Sequence, residues 1–202
     1  MRRTVCIALF TMLLATLQAQ DGVMRSFNGR TFTFGFLQPA GWMINNEAAQ
    51  LAHFVLHKEG VSWRQAPAIL FVRLVRREDG PAAQDAESGR HGEEGVRYED
   101  LESFVKSNVE SFKSACPHFE IKDVEALSHA NLAHEFIVKS YDCPGMRHEI
   151  TAVAEFPDYF VLLVLSSRTP ENIQEALPKY EEVLSSFYWR QRQPVSEVPD
   201  NR

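Results

Sequence analysis

Large aromatic and small residues alternate strictly over residues 31–36. Phe32, Phe34 and Phe36 fall on one side, and Thr31, Thr33 and Gly35 on the other. A period of two predicts a half-buried strand with three rings on its inner face. Residues 23–27 read as the first strand of a hairpin whose second strand is 30–37. Asn28-Gly29 separates the two, and Asn-Gly suits the positive φ angles of a type I′ turn, so a hairpin is predicted. Pro39-Ala40-Gly41-Trp42 reads as the turn that ends the second strand. Residues 50–57 and 68–75 are further strand candidates.

The period then lengthens. Over residues 98–115, Leu101, Phe104, Val105, Val109 and Phe112 recur at spacings of three and four, opposite Glu, Lys, Ser and Asn. That stripe predicts an amphipathic helix, which Pro117 should end. Strand-like runs return at 119–127, 133–141, 147–156 and 159–166. Cys143-Pro144-Gly145 and Pro157-Asp158 supply turns between them. Thr169-Pro170-Glu171 then has the order of a helix start: a capping hydroxyl, a proline in the first turn, and an acid at the positive end of the dipole. Ile173, Ala176, Leu177, Tyr180, Val183, Leu184 and Phe187 keep a 3.6-residue period, with Pro178 expected to kink or split the helix. Residues 76–97 are rich in Gly, Ala, Asp and Glu and nearly free of large apolar side chains. They read as a long mobile loop. Residues from Arg190 on are polar, and 191–202 read as a flexible tail.

The start of the chain has a different character. Arg2 and Arg3 precede a continuous apolar run over residues 4–17, and Ala19 offers a small residue before Gln20. This order predicts a secretory signal peptide over residues 1–19. The run is shorter than the roughly 20 residues needed to span a bilayer, so no membrane span is expected after cleavage. Composition then adds two points. Over 202 residues, 45% hydrophobic and 24% charged content suits an ordinary globular chain and excludes collagen-like and coiled-coil classes. Removing residues 1–19 leaves 19 basic against 27 acidic residues, a net charge of -8. That balance argues against nucleic acid as a partner. Cys6 leaves with the leader. Cys116 and Cys143 remain, an even pair in an oxidising compartment, and a disulfide between them is expected. Two separate thiols, or a zinc site adding His118 and His148, are the alternatives.

The order of elements, strands, a helix, a four-strand meander and a last helix, predicts an α+β fold. One twisted, largely antiparallel sheet would be covered by helices in an α/β/α sandwich. The segment Phe32-Thr33-Phe34-Gly35-Phe36-Leu37-Gln38-Pro39-Ala40-Gly41-Trp42 resembles the aromatic strand and Pro-x-Gly-Trp turn of the PsbP-like family. Residues 159–166 and 180–187, ending Leu184-Ser185-Ser186-Phe187, are similar to its last strand and helix. The likeness spans roughly residues 27–188. It implies a single PsbP-like domain over residues 20–190. Family members share no catalytic residues, so what it implies for function is a binding or assembly-accessory role.

The candidate chemistry is sparse. His53 and His57 would share one turn of a helix, but the alternation around them says strand. There they would lie about 13 Å apart on one face, at roughly 3.3 Å per residue, too far to chelate one ion. His134-Glu135 and His148-Glu149 each open like a zinc-protease motif, but Val138 and Ala152 stand where the second histidine is required. No Gly-x-Ser-x-Gly elbow, P-loop or dinucleotide fingerprint occurs. Glu93-Glu94 lies in the acidic loop, without the ligand order of a calcium site. Trp42 reads as a core plug. Trp63 lies in a polar loop beside Arg64, and an exposed Trp-Arg pair has the composition of an interface hot spot, with partial burial as the alternative. No catalytic residue, cofactor or metal is expected. The expectation is an exported, non-enzymatic protein, periplasmic or secreted, that binds another envelope or secreted protein. A periplasmic small-ligand or metal carrier is the alternative.

Overall fold

The computed structural model describes residues 22–45, 52–77, 98–116 and 118–192. Two sheets form. Strands β1 (Val23–Asn28), β2 (Phe32–Gln38) and β10 (Tyr188–Gln191) make a small antiparallel sheet in the order β1-β2-β10. The large sheet has seven strands: β3 (Trp42–Ile44), β4 (Phe54–Lys58), β5 (Ala68–Arg76), β6 (Glu120–Asp123), β7 (Ile137–Cys143), β8 (Arg147–Phe156) and β9 (Tyr159–Ser167). Their order is β3-β4-β5-β9-β8-β7-β6, and each pairing is antiparallel.

The centre of the large sheet is buried on both faces, which is why β9 reads as one apolar run. Phe160, Leu162 and Val164 pack with Phe104 and Val105 of helix α1 (Leu101–Ala115). Val161, Leu163 and Leu165 alternate to the other face. There they meet Ile173, Tyr180, Val183 and Leu184 of helix α2 (Pro170–Ser186) and the rings of Phe32, Phe34 and Phe36. The result is an α+β sandwich of α1, the large sheet, and a layer made of α2 with the small sheet. Each fully buried large side chain contributes about 1.5–3 kcal/mol. Tyr180 is wholly buried, and its hydroxyl donates to Leu163 O at 2.9 Å, so its polar end is satisfied as well.

Both helices start on side-chain caps. Asp100 accepts from Ser103 N at 2.8 Å, and Ser103 Oγ accepts from Asp100 N at 3.2 Å, a reciprocal capping box. Thr169 accepts from Asn172 N at 3.4 Å. Helix α2 runs through Pro178 without splitting. Pro178 is exposed, and the loss of about 3 kcal/mol that an interior proline brings is offset by Tyr180, Val183 and Leu184, buried in the following turns.

Four expectations need correction. The β1-β2 reversal is not a type I′ turn: Asn28 pairs with Thr33, residues 29–31 make the loop, and neither Asn28 nor Gly29 has positive φ. Gly29 is needed for space, because a Cβ there would lie 2.5 Å from the Phe32 ring. The expected strand 119–127 stops at Asp123, and a helical turn, Glu125–Ser128, carries Leu127 into the core. The run from 133 begins as strand only at Ile137, so His134 sits in a loop. Arg190 and Gln191 are not tail: they pair with Thr33 and Phe32, because Trp189 stacks on Phe32 at 4.3 Å and pins the segment down. The expected leader at residues 1–19, residues 78–97 of the expected loop, and residues 193–202 lie outside the described residues.

Candidate functional site

The Trp63–Arg64 pair stands on a short 3-10 turn, Trp63–Gln65, between β4 and β5. Gly60, at φ +78°, reverses the chain just before it. Gln65 N donates to Ser62 O at 2.9 Å, and Ser167 Oγ reaches the carbonyl of Pro67 just beyond, so the turn is tied to the large sheet at its far end. Trp63 is half-buried, its ring resting against Ala52 and Val55. Arg64 is exposed, with its guanidinium 5.5 Å from the centre of the Trp63 ring. The indole is therefore seated on the sheet, and a cation lies over its ring.

The Cys116–Cys143 disulfide ties the end of α1 to the end of β7. That pairing removes both sulfurs from the zinc alternative. Phe112 stacks on Tyr141 at 4.4 Å beside it, and Arg147 lies 4.6 Å over the Phe112 ring. Glu149, opposite Tyr141, is 6% exposed. Its carboxylate accepts from Ser166 Oγ at 2.9 Å and meets Arg147 Nε at 3.2 Å. Burial raises the Glu149 carboxyl above the ordinary carboxylate range, with Arg147 and Ser166 opposing. Burial, together with the negative charge of Glu149, pushes the Tyr141 phenol up to about 12.

His148 is the neighbour of Glu149 in sequence but not in space. Successive strand residues point to opposite faces, so His148 faces α2 while Glu149 faces α1. Its Nδ1 lies 2.8 Å from Asp142 Oδ1, across the β7-β8 ladder. That oxygen is shielded from water and has no well-aligned hydrogen bond, so the imidazole is its polar neighbour. The pair lines a groove of about 150 Å³ with Glu120, Lys122, Ile173 and Gln174. A second groove of about 220 Å³ has Trp42 and Ala68 in its lining and the exposed Lys58–Glu175 ion pair, 3.3 Å, beside them.

His53 and His57 do not form a pair on one face. His53 precedes β4, accepts from Leu74 N at 3.3 Å, and sets its ring edge-on to Phe27. His57 is buried within β4. His134 accepts from Trp189 N at Nε2, 3.2 Å, with its ring against Phe156, and burial lowers its pKa. Among the described residues, no three His, Cys, Asp or Glu side chains come together to hold a metal. Glu93-Glu94 lies outside them. The Asp142–His148 contact was missed in the sequence, although the Cys143-Pro144-Gly145 turn fixes it. Pairing Cys143 with Arg147 brings residue 142 opposite residue 148.

No family model matches the chain, and no curated protein matches it. Solved structures do. The chain is similar to cyanobacterial PsbP (CyanoP) from Synechocystis sp. PCC 6803, at 13% identity and a TM-score of 0.43, over 82% of this chain and 91% of that one. It is similar to the Ran-binding protein Mog1p of Saccharomyces cerevisiae, at 10% identity and a TM-score of 0.45, over 84% of this chain and 96% of that one. A single-substitution mutant of Mog1 aligns at 12% identity with a TM-score of 0.44. Both proteins have the PsbP-like fold.

Proposed function

We propose that this chain is an exported, non-enzymatic binding or assembly-accessory protein of the cell envelope, periplasmic or secreted, that acts by contact with another envelope or secreted protein. The observation that carries the reading is the Trp63–Arg64 turn: an indole seated on Ala52 and Val55, with an exposed guanidinium over its ring. Such a pair is organised before any partner arrives, which lowers the entropy lost on binding. The leader-like residues 1–19 and the Cys116–Cys143 bridge support export. The carrier reading has less support. The two grooves, at about 220 and 150 Å³, are smaller than the ~300–1,000 Å³ usual for small-molecule sites.

The test is photo-cross-linking in the native host from a reactive residue placed at Gln65. One dominant cross-linked protein is expected, and Trp63→Ala should abolish it at unchanged abundance of the chain. A cross-link that survives Trp63→Ala would remove this site from the reading.

A further inference from the structure

The small sheet differs from the rest of the protein in charge. Residues 22–38 and 187–192 contain Arg25, Arg30, Arg190 and Arg192 and not one Asp or Glu. From residue 20 on, the remainder holds 15 basic residues against 27 acidic ones. Elsewhere six cations are neutralised where they stand: Lys58, Arg77, Lys122, Lys139, Arg147 and Lys179 each face a carboxylate. In the small sheet, arginines are held by neutral groups instead. Arg192 donates to Asn28 Oδ1 at 2.6 Å and to Thr33 Oγ1 at 3.1 Å. Arg190 lies 5.4 Å over the Tyr188 ring. Arg25 donates to Gln38 Oε1 at 2.6 Å, toward the other end of the sheet. These contacts fix position without cancelling charge.

Arg190 and Arg192 share the outer face. Phe32, Phe34 and Phe36 point into the core, so Thr33, Gly35 and Leu37 point out, and Arg190 stands opposite Thr33. Tyr188 lies flat over Gly35, where a Cβ would meet its ring at 2.7 Å. Exposed Arg30 follows in the β1-β2 loop, and Met24, 53% exposed, continues the face on β1.

We propose that this outer face is a docking surface for an acidic, extended polypeptide segment, one that alternates carboxylate and apolar side chains. Carboxylates would meet Arg190, Arg192 and Arg30, and the apolar positions would lie over Tyr188 and Met24. A narrow peptide touches the basic face alone. A broad polyanion, whether lipid surface or nucleic acid, would also meet the strongly acidic remainder of the protein and be repelled. This surface is separate from Trp63–Arg64. The two share no residue, so either assignment can fail without the other.

The test uses protein produced from the full chain and a short fluorescent peptide alternating Glu and Val, read by anisotropy. Saturable binding is expected, weakening as salt rises. A Gln-Val peptide should bind at least about tenfold more weakly, as should the Arg190→Gln/Arg192→Gln variant. Circular dichroism checks that the double variant is folded. Arg30→Glu, in an exposed loop, tests the same charge without disturbing the strand contacts and should also weaken binding. Absence of saturable binding, equal binding of the Gln-Val peptide, or unchanged affinity in Arg30→Glu would overturn the proposal. So would tighter binding to phosphatidylserine vesicles or to a single-stranded oligonucleotide, lost in the same variants.

Discussion

Asn131 joins three parts of the chain, and its removal should be felt throughout the fold. The residue is 6% exposed. Its Nδ2 donates to Leu184 O and Phe187 O, both at 2.8 Å, and its Oδ1 accepts from Ala133 N and His134 N, both at 2.9 Å. One side chain thus satisfies carbonyls at the end of α2 and two amides of the loop that leads to β7. Asn131→Ala removes these four short hydrogen bonds, worth about 1 kcal/mol each, and a longer one to Ser185 O at 3.4 Å, and leaves their partners buried or half-buried. Water entering the vacated space restores part of that. A net loss of about 3–4 kcal/mol is expected, or roughly 6–16 °C in Tm for a protein of this size. Asn131→Asp separates hydrogen bonding from packing. It has nearly the same shape and can still accept from Ala133 and His134, but it turns a second oxygen toward two carbonyls. At pH 7 it should be at least as destabilised as Asn131→Ala. The raised carboxyl pKa in the folded state then favours folding as pH falls through that value, so the deficit should shrink toward pH 4. Urea unfolding followed by circular dichroism, at pH 7 and pH 4, measures both. A loss below about 1 kcal/mol for Asn131→Ala, or no pH dependence in the Asn131→Asp difference, would refute the reasoning.

Two further outcomes follow from the region around the disulfide. Reducing Cys116–Cys143, which are 27 residues apart, or replacing both by Ser, should cost roughly 3–4 kcal/mol by release of loop-closure entropy, seen as a lower melting temperature. An unchanged melt would show that the packing of Phe112 on Tyr141 holds α1 without it. Glu149→Gln should flatten the pH profile of stability. The folded carboxyl pKa is raised by burial, so the parent is most stable below the unfolded value near 4.5 and loses stability as pH rises through the folded one. The amide has no such step, and its urea midpoint at pH 7 should equal or exceed the parent's. A drop of more than about 1 kcal/mol would mean that the Arg147 pair outweighs the desolvation of Glu149.

What could be read from the sequence was local. The period-two pattern of Phe32, Phe34 and Phe36 and the 3.6-residue stripes of α1 and α2 located the core, because burial imposes those periods wherever an element lies on it. The caps at Thr169 and the turn at Gly145 were legible for the same reason, since their chemistry is complete within a few residues. Strand β10 was not. Tyr188–Gln191 is too short to show a pattern, and its place depends on β2 and on the Trp189 stack with Phe32. The resting place of Trp63 was equally hidden, since Ala52 and Val55 lie across a loop from it. The uncompensated arginines of the small sheet needed both the sequence and the pairing: the absence of acid was visible in the letters, but residues 22–38 and 187–192 become one surface only through the β2-β10 ladder.

That ladder also fixes a timetable. Arg192 reaches Asn28 across 164 residues of chain, so the first hairpin acquires its third strand only once residues 188–192 are available to it. Contacts of such separation form late, because the loop they close is long. Until then the inner rings of β2 lack Trp189 and Phe187, and the amino-terminal part cannot settle into its finished packing ahead of the rest. Closure of the small sheet therefore waits on the pairing of residues 188–191 with β2, however early the β1-β2 hairpin itself forms.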